Sequence, residues 1–434
     1  GNPLTTSAGT LTFDPPTLGT IQPVTNHQNG TYTTTYTAGT TSGTDTIQAN
    51  LDDQPLTPTP TLTLDPIQFT TIAAGWGHSL ALDQNGNAWA WGEDFEGQLG
   101  NGPSTTTDQP TPVPVAMPDD VTFTHLAAGA YHSLALDTNG NAWAWGLDFS
   151  GQLGDGGANT DQPVPVEVDM PDDVTFTHLA AGFSHSLALD TNGNAWAWGS
   201  DLNGQLGDGG TNTDQPVPAQ VDMPDDVTFT TITAGDSHTL ALDASGNAWS
   251  WGRNYEGSLG NGESTGDQAS PVPVAMPTGD VSFTDIAAGI HHSLALDHDE
   301  HAWAWGLDSN GQLGTGGGNQ STPKQVDTPP DGVTALHAGH GHSLALDDEG
   351  HAWAWGQGSN GQLGTGTRPN TQETPVSVDM PTDVTFTHLA SGGSHSLAID
   401  EDGNAWAWGF DASGQLGNDE NLADRARPKA VAMP

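Results

Sequence analysis

Residues 127–146 read AAGAYHSLALDTNGNAWAWG, and residues 180–199 read AAGFSHSLALDTNGNAWAWG; the two stretches differ at two positions. Leu134 and Leu136 alternate with Ser133 and Ala135, and Trp143 and Trp145 alternate with Ala142 and Ala144. A period of two is the signature of strands. Between them, Asp137-Thr138-Asn139-Gly140-Asn141 is a turn, and its Asn-Gly pair suits the positive φ angles of a tight hairpin. The hairpin has two apolar faces, bulky on one side and alanine on the other. Such a sheet must be covered on both sides, which stacking of blades around an axis achieves.

The same string surrounds His78, His132, His185, His238, His292, His342 and His395, with steps of 54, 53, 53, 54, 50 and 53 residues. Upstream, Val121 to Leu126 reads as a further strand leading into Ala127-Ala128-Gly129. Downstream, Gly151-Gln152-Leu153-Gly154 is a glycine-punctuated corner, and Pro163 to Val166 is a proline-bearing strand. Proline is tolerated at a sheet edge, which places that strand outermost. Four strands in each of seven repeats predict one closed propeller. The AGxxHSLAL, NAWAWG and GQLG strings resemble the RCC1 repeat family over Asp65 to Pro434. The resemblance implies a seven-bladed β-propeller with its ends closed together. Val431-Ala432-Met433-Pro434 repeats the phase of Val115-Ala116-Met117-Pro118, and the sequence leaves open whether the last strand completes the final blade or pairs with the first.

Residues 1–64 differ in texture, being rich in Thr and lacking Trp. Leu11 to Phe13, Thr31 to Thr37 and Thr46 to Ala49 read as strands, and Asp52 to Pro60 as a stiff proline-rich linker. The run NGTYTTTYTAGTTSGTDTIQANL, Asn29 to Leu51, resembles the later strands of an invasin-type bacterial Ig-like domain. The expected organisation is therefore all-β: a partial Ig-like β-sandwich segment over 1–64 and the propeller over 65–434. A whole sandwich of this type needs about 90–100 residues, so the segment calls for completion from elsewhere, including by strands of a neighbouring molecule.

Charge bears on setting and partners. The chain carries 53 acidic residues against 6 basic ones, all six at Arg253 or later. Self-repulsion of that size is relieved where molar salt cuts the screening length to about 3 Å, which fits a halophilic protein. Phosphate-backbone binding needs clustered Lys or Arg, so no nucleic-acid partner is expected. There is no cysteine, hence no disulfide or thiolate metal site, and no apolar run long enough to insert in a membrane. The chain opens at Gly1 without methionine or a leader-like stretch, and so reads as a processed or trimmed chain.

Among candidate sites, the seven repeat histidines suggest a metal ring, but their identical context reads better as scaffold, each buried imidazole satisfying backbone groups at a blade corner. Acidic turns such as Asp83 to Asn87, Asp297 to His301 and Asp400 to Asn404 faintly resemble the start of a calcium loop. They lack the twelve-residue spacing and closing Glu, so hairpin turns are the stronger reading and no cofactor is assigned. The glycine-rich corners lack the GK[ST] ending of a phosphate loop. No catalytic triad stands out. His291, His340 and Arg253 break the sevenfold pattern and are candidates to mark a binding face. Asn29 and Asn319 head glycosylation sequons that matter only in an exported chain. Trp76 is the one Trp outside the repeated pairs, and the loops Asn101 to Gln109, Asp155 to Gln162 and Thr315 to Thr322 vary most.

These readings converge on a non-enzymatic extracellular or cell-surface structural or adhesive protein of a halophile. It binds a protein partner or associates with itself, and a fibre built by strand donation through the N-terminal segment is one version. The alternative is a secreted, inhibitor-like binding propeller, against which the small, polar loops count. A polysaccharide-active enzyme is the least favoured, since no carboxylate pair stands out.

Overall fold

The computed structural model describes residues 10–27, 31–38, 43–64, 66–102, 107–327, 332–418 and 422–433, and all regular structure among them is β. A first unit reaches to Ile67 and a second spans Gln68–Ala432.

The second unit holds seven four-stranded antiparallel sheets, each with its strands in chain order. The first blade comprises Phe69–Ala74, His78–Asp83, Ala88–Gly92 and Gln109–Pro114. The seventh comprises Phe386–Ser391, His395–Asp400, Ala405–Gly409 and Arg425–Ala430. The last strand pairs within its own blade, Trp406 opposite Ala430, so the C-terminal residues complete the seventh blade. The first strand of each repeat begins two residues later than the alternation suggests. In the second blade, Phe123 N–H donates to Gly86 O in the hairpin turn of the blade before, and pairing starts at Phe123 opposite Asp137.

The register explains why both faces pack. Leu134 lies opposite Ala144 and Ser133 opposite Trp145, so each face alternates large and small side chains instead of being all bulky or all alanine. Leu80, Leu82, Ala88 and Ala90 of the first blade then pack against Phe123, Leu126, Ala135 and Trp145 of the second. The same interlock recurs between the second and third blades and onward.

Polar groups lace every seam. His78 Nε2 lies 3.0 Å from Ser133 Oγ of the next blade, Ser133 Oγ donates to Gln98 O at 2.9 Å, and Trp145 Nε1 donates to the same carbonyl at 2.9 Å. Because the serine proton goes to the carbonyl, the imidazole donates from Nε2, and burial keeps the ring neutral. The seventh seam repeats this and closes the ring: His395 Nε2 to Ser79 Oγ at 3.0 Å and Trp91 Nε1 to Gln415 O at 2.9 Å. The backbone partner expected for each repeat histidine is thus corrected to a hydroxyl of the next blade; at the third seam the hydroxyl is Thr239, at 3.4 Å.

The glycine before each histidine makes room for the ring. A Cβ on Gly129 would sit 2.3 Å from His132 Cε1 and 2.6 Å from Gly182 O. Gly129→Ala is expected to destabilise the propeller by about 1–3 kcal/mol, as overpacking of a close-packed interior does, read as a shift of the urea midpoint.

In the first unit Leu11–Phe13 pairs with Ala49–Leu51, Gly19–Ile21 with Tyr36–Ala38, Thr25–Asn26 with Tyr32–Thr33, and Gly43–Thr46 with Thr61–Leu64. The stretch expected as one strand over Thr31 to Thr37 is two short ones, and Thr46 to Ala49 is a break between two. The linker reading of Asp52 to Pro60 is also corrected. Asp52 and Asp53 turn the chain at positive φ, Gln54–Pro55 pairs back on Ala49–Leu51, and Thr61–Leu64 pairs with Gly43–Thr46 in a separate two-stranded sheet. Among the described residues of this unit that carry a burial assignment, Asp45 alone is fully buried. It accepts hydrogen bonds from Thr17 N, Leu18 N and the Thr17 and Tyr36 hydroxyls. Desolvation works to raise its pKa, but these donors outweigh it and hold the carboxyl well below the usual range. Leu11, Phe13, Ile21, Tyr36 and Ile47 are half-buried, so the described residues of the unit form no sealed apolar core.

Candidate functional site

The two residues preceding each repeat histidine form the turn between the first and second strands, at one end of the propeller axis. The first of the pair is Trp76, Ala130, Phe183, Asp236, Ile290, His340 and Gly393 in successive blades. Together with the neighbouring Ala-Gly pairs they line an axial mouth of about 110 Å³. Trp76 spans it: its ring meets Phe183 edge-on at 5.5 Å and lies 4.8 Å from His340. Tyr131 stands edge-on to Phe183 at 5.7 Å. Burial, opposed by nearby Asp236, lowers the pKa of His340.

A second turn, after the third strand, is tied to the first in every blade. Glu93 N donates to Gly77 O at 2.9 Å, Leu147 N to Tyr131 O at 2.9 Å, Ser200 N to Ser184 O at 2.8 Å and Arg253 N to Ser237 O at 2.8 Å. Two residues further along come Phe95, Phe149, Leu202 and Tyr255, exposed by 73%, 82%, 76% and 41% on four consecutive blades. The other three blades carry Ser309, Ser359 and Ala412 there. The result is an apolar arc around one side of the mouth, on the same face. Arg253 lies over the Tyr255 ring at 5.1 Å, and the His291 ring is 4.7 Å from that of Tyr255. Burial raises the pKa of Glu93 and Glu96, and acidic neighbours raise it further.

The chain is similar to known proteins over nearly all its length. A model described as "RCC1-like domain" matches residues 119–434, with models of the regulator of chromosome condensation repeat at 69–98 and 85–136. The chain belongs to the RCC1-like repeat family. Its first unit matches "Invasin, domain 3" over residues 1–66. This RCC1-like chain is 32% identical to the ultraviolet-B receptor UVR8 of Arabidopsis thaliana over 374 residues, 85% of this chain and 83% of that one. It is 33% identical to the probable E3 ubiquitin-protein ligase HERC6 of Homo sapiens over 56% of this chain but only 23% of that one. Among solved structures, human WBSCR16 superposes with a TM-score of 0.71 at 24% identity, covering 80% of this chain and 95% of that one. Yeast RCC1 (Prp20), solved bound to Kap60, gives 0.71 at 23% identity over 85% of each chain. At these identities the structures attest the fold.

The residues singled out from sequence fall in different places. The seven repeat histidines lie in the seams, away from any opening, and desolvation depresses each to a pKa of about 3. His291, His340 and Arg253 all reach the axial face. The acidic turns have their oxygens already engaged. Asp137 Oδ1 accepts from Asn139 N and Asn141 N, and Oδ2 from Asn141 Nδ2 and the Trp143 indole. Donor hydrogens therefore point where a calcium ion would sit. Asn319 is on the surface, its Oδ1 accepting from Asp308 N and its Nδ2 donating to Glu256 at 2.7 Å. Asn29 lies outside the described residues. The apolar arc was missed because the variable loops after GQLG drew the reading. Its signal was a large apolar residue two positions before the GQLG corner, GSLG in the fourth repeat, in the first four repeats, where the last three have Ser or Ala.

Proposed function

We propose that this chain is a non-enzymatic protein-binding propeller that takes a protein partner on the axial face bearing Phe95, Phe149, Leu202 and Tyr255. The observation that carries this is the arc itself. Four large apolar side chains occupy one repeat position on adjacent blades, exposed where the scaffold has no structural use for them. Aromatic anchors ringed by polar groups are what protein contacts use. Glu93, Glu96 and Asp108 at the arc's margin favour a partner presenting apolar side chains flanked by Lys or Arg. The Prp20 structures, one described as bound to Kap60 and the other with binding properties to Gsp1p and histones, concern proteins of the same fold acting through protein contacts. The scarcity of basic residues speaks against a nucleic-acid partner.

The invasin-type first unit and the acidic, cysteine-free composition support an extracellular, cell-surface setting in a salt-rich medium. Self-association is the second reading. It is favoured by the lack of a sealed core among the described residues of the first unit, which strands from a neighbour would complete. Electron microscopy in molar NaCl distinguishes it: fibres with a regular axial repeat support strand-linked assembly, and isolated rings at all concentrations dismiss it.

The binding reading is tested with Phe95→Ser, Phe149→Ser, Leu202→Ser and Tyr255→Ser combined. Since these side chains are exposed, the variant is expected to keep its unfolding midpoint. Capture of the native partner from source extracts, identified by mass spectrometry, is expected to fall at least tenfold. Undiminished capture by the folded variant would sink the assignment.

A further inference from the structure

The axial mouth leads further in. Behind it, the first strands of all seven blades enclose a channel of about 330 Å³. Mouth and channel share the last residue of each of those strands, alanine in six blades and Ser391 in the seventh, so the two spaces are continuous.

The channel wall is uneven around the ring. Ile72, Leu126 and Leu389 and the alanines beside them make one side apolar, while Thr233, Asp285 and His337 stand together on the fourth, fifth and sixth blades. At the place of His337 five blades carry alanine, so the scaffold does not call for a ring there. His337 is half-buried, and among the described residues its imidazole has no hydrogen-bond partner. Desolvation by the surrounding wall, with the charge of His388 adding to it, depresses its pKa to about 4. At neutral pH the ring is therefore uncharged and keeps an acceptor nitrogen.

Asp285 is the one acid at its position; the other six blades have Thr, His or Ala there. Its Oδ1 accepts from Ile286 N at 2.9 Å, and the backbone of Leu336, the residue next to His337, supplies a second donor. Burial raises the pKa of this carboxyl and outweighs both donors. A carboxylate offers about four lone-pair sites, so capacity remains for a charged donor.

At the other end of the passage, Asp236 lines the mouth with the Trp76 and Phe183 rings. Asp236 lies five residues beyond Thr231, the counterpart of Asp285 in the fourth blade. At about 3.3 Å per residue, the two carboxylates are at most about 16 Å apart along the strand direction. Among the described residues neither cavity is lined by Lys or Arg. The passage thus has negative charge at each end, an aromatic face at its entrance and an apolar wall between. Cations are attracted to aromatic faces and to desolvated carboxylates, and methylenes gain by leaving water for an apolar wall.

We propose that this axial passage binds a linear aliphatic polyammonium. One ammonium sits at Asp285, where His337 accepts from it, a second sits at Asp236 and the Trp76 ring, and the methylenes lie along the alanine wall. A lysine of a docked protein, on its four-carbon stem, is too short to span the two carboxylates. The site lies behind the arc and does not depend on the partner that seats there.

Titration calorimetry with spermidine in molar NaCl, where exposed carboxylates are largely screened, tests this. The intact chain is expected to show a single saturable site for spermidine and none for hexaamminecobalt(III), which has the same charge but no methylenes. Asp285→Asn is expected to weaken binding by at least about tenfold. Asp119→Asn, which removes an exposed charge, is expected to leave it unchanged. His337→Ala installs the residue that five blades already have; it is expected to weaken binding too, and serves if Asp285→Asn does not fold. The absence of a saturable site in the intact chain, equal binding of the two trications, or binding undiminished in both channel variants would overturn the proposal.

Discussion

Lowering the pH from 7 to 4 in molar NaCl is expected to destabilise the propeller steeply, with net proton uptake on unfolding. The seven seam imidazoles have folded pKa values of about 3 because desolvation disfavours their charged form. Once unfolded they return to about 6.5. Above pH 6.5 neither state is protonated at these rings and their contribution is constant. Between about pH 6.5 and 3 the unfolded chain binds protons that the folded chain refuses, so stability falls as pH falls. The buried carboxyls of Asp94, Asp148 and Asp201, pushed up by desolvation to about 6, act in the opposite sense by binding protons first in the folded state. They are fewer than the histidines, and the histidines win. Urea unfolding at a series of pH values measures the slope, and high salt keeps general charge repulsion from masking it. His132→Gln is expected to lessen the slope by about one proton. A stability that is flat or rising from pH 6 to pH 4 would contradict the neutral-imidazole seam.

Trp145→Ala is expected to cost about 3–5 kcal/mol, the range for truncating a large buried aromatic. Trp145 is fully buried, stacks on Phe123 at 6.2 Å, and donates its indole hydrogen to Gln98 O across the seam. Its removal leaves a cavity between two blades and takes one of two donors from that carbonyl. Trp143→Ala is the internal control. Trp143 is only half-buried, and its indole bonds Asp137 within its own hairpin at 3.4 Å, so its loss is expected to cost clearly less. Chemical denaturation of both variants checks the order, and equal losses would show that the seam bond and stacking contribute nothing special.

The sequence carried the propeller because its period is sevenfold and its alternation strict: Leu134 and Leu136 against Trp143 and Trp145 leave little choice but two covered faces. It also carried the seam histidines as scaffold, but not their partner. Ser133 follows His132 in the chain, yet the hydroxyl that His132 meets is Ser186, 54 residues on. Pairing across blades is set by ring closure, which no local pattern records. The N-terminal unit was read less well because its strands are two to four residues long and Thr-rich, so polar alternation gives weak boundaries. The axial site was half-legible. His291, His340 and Arg253 stood out as asymmetries, whereas Phe95 and Phe149 were hidden among conventional corner residues until the turns were seen to meet on one face.

The central claim is that a protein partner seats on the arc, and hydrogen–deuterium exchange of the captured complex tests it most directly. The account predicts slowed exchange in residues 92–97, 146–151, 199–204 and 252–257, with the outer strands such as Gln162–Glu167 unchanged. Protection confined to those outer strands or to the opposite end of the axis, with the arc exchanging as in the free chain, would contradict it.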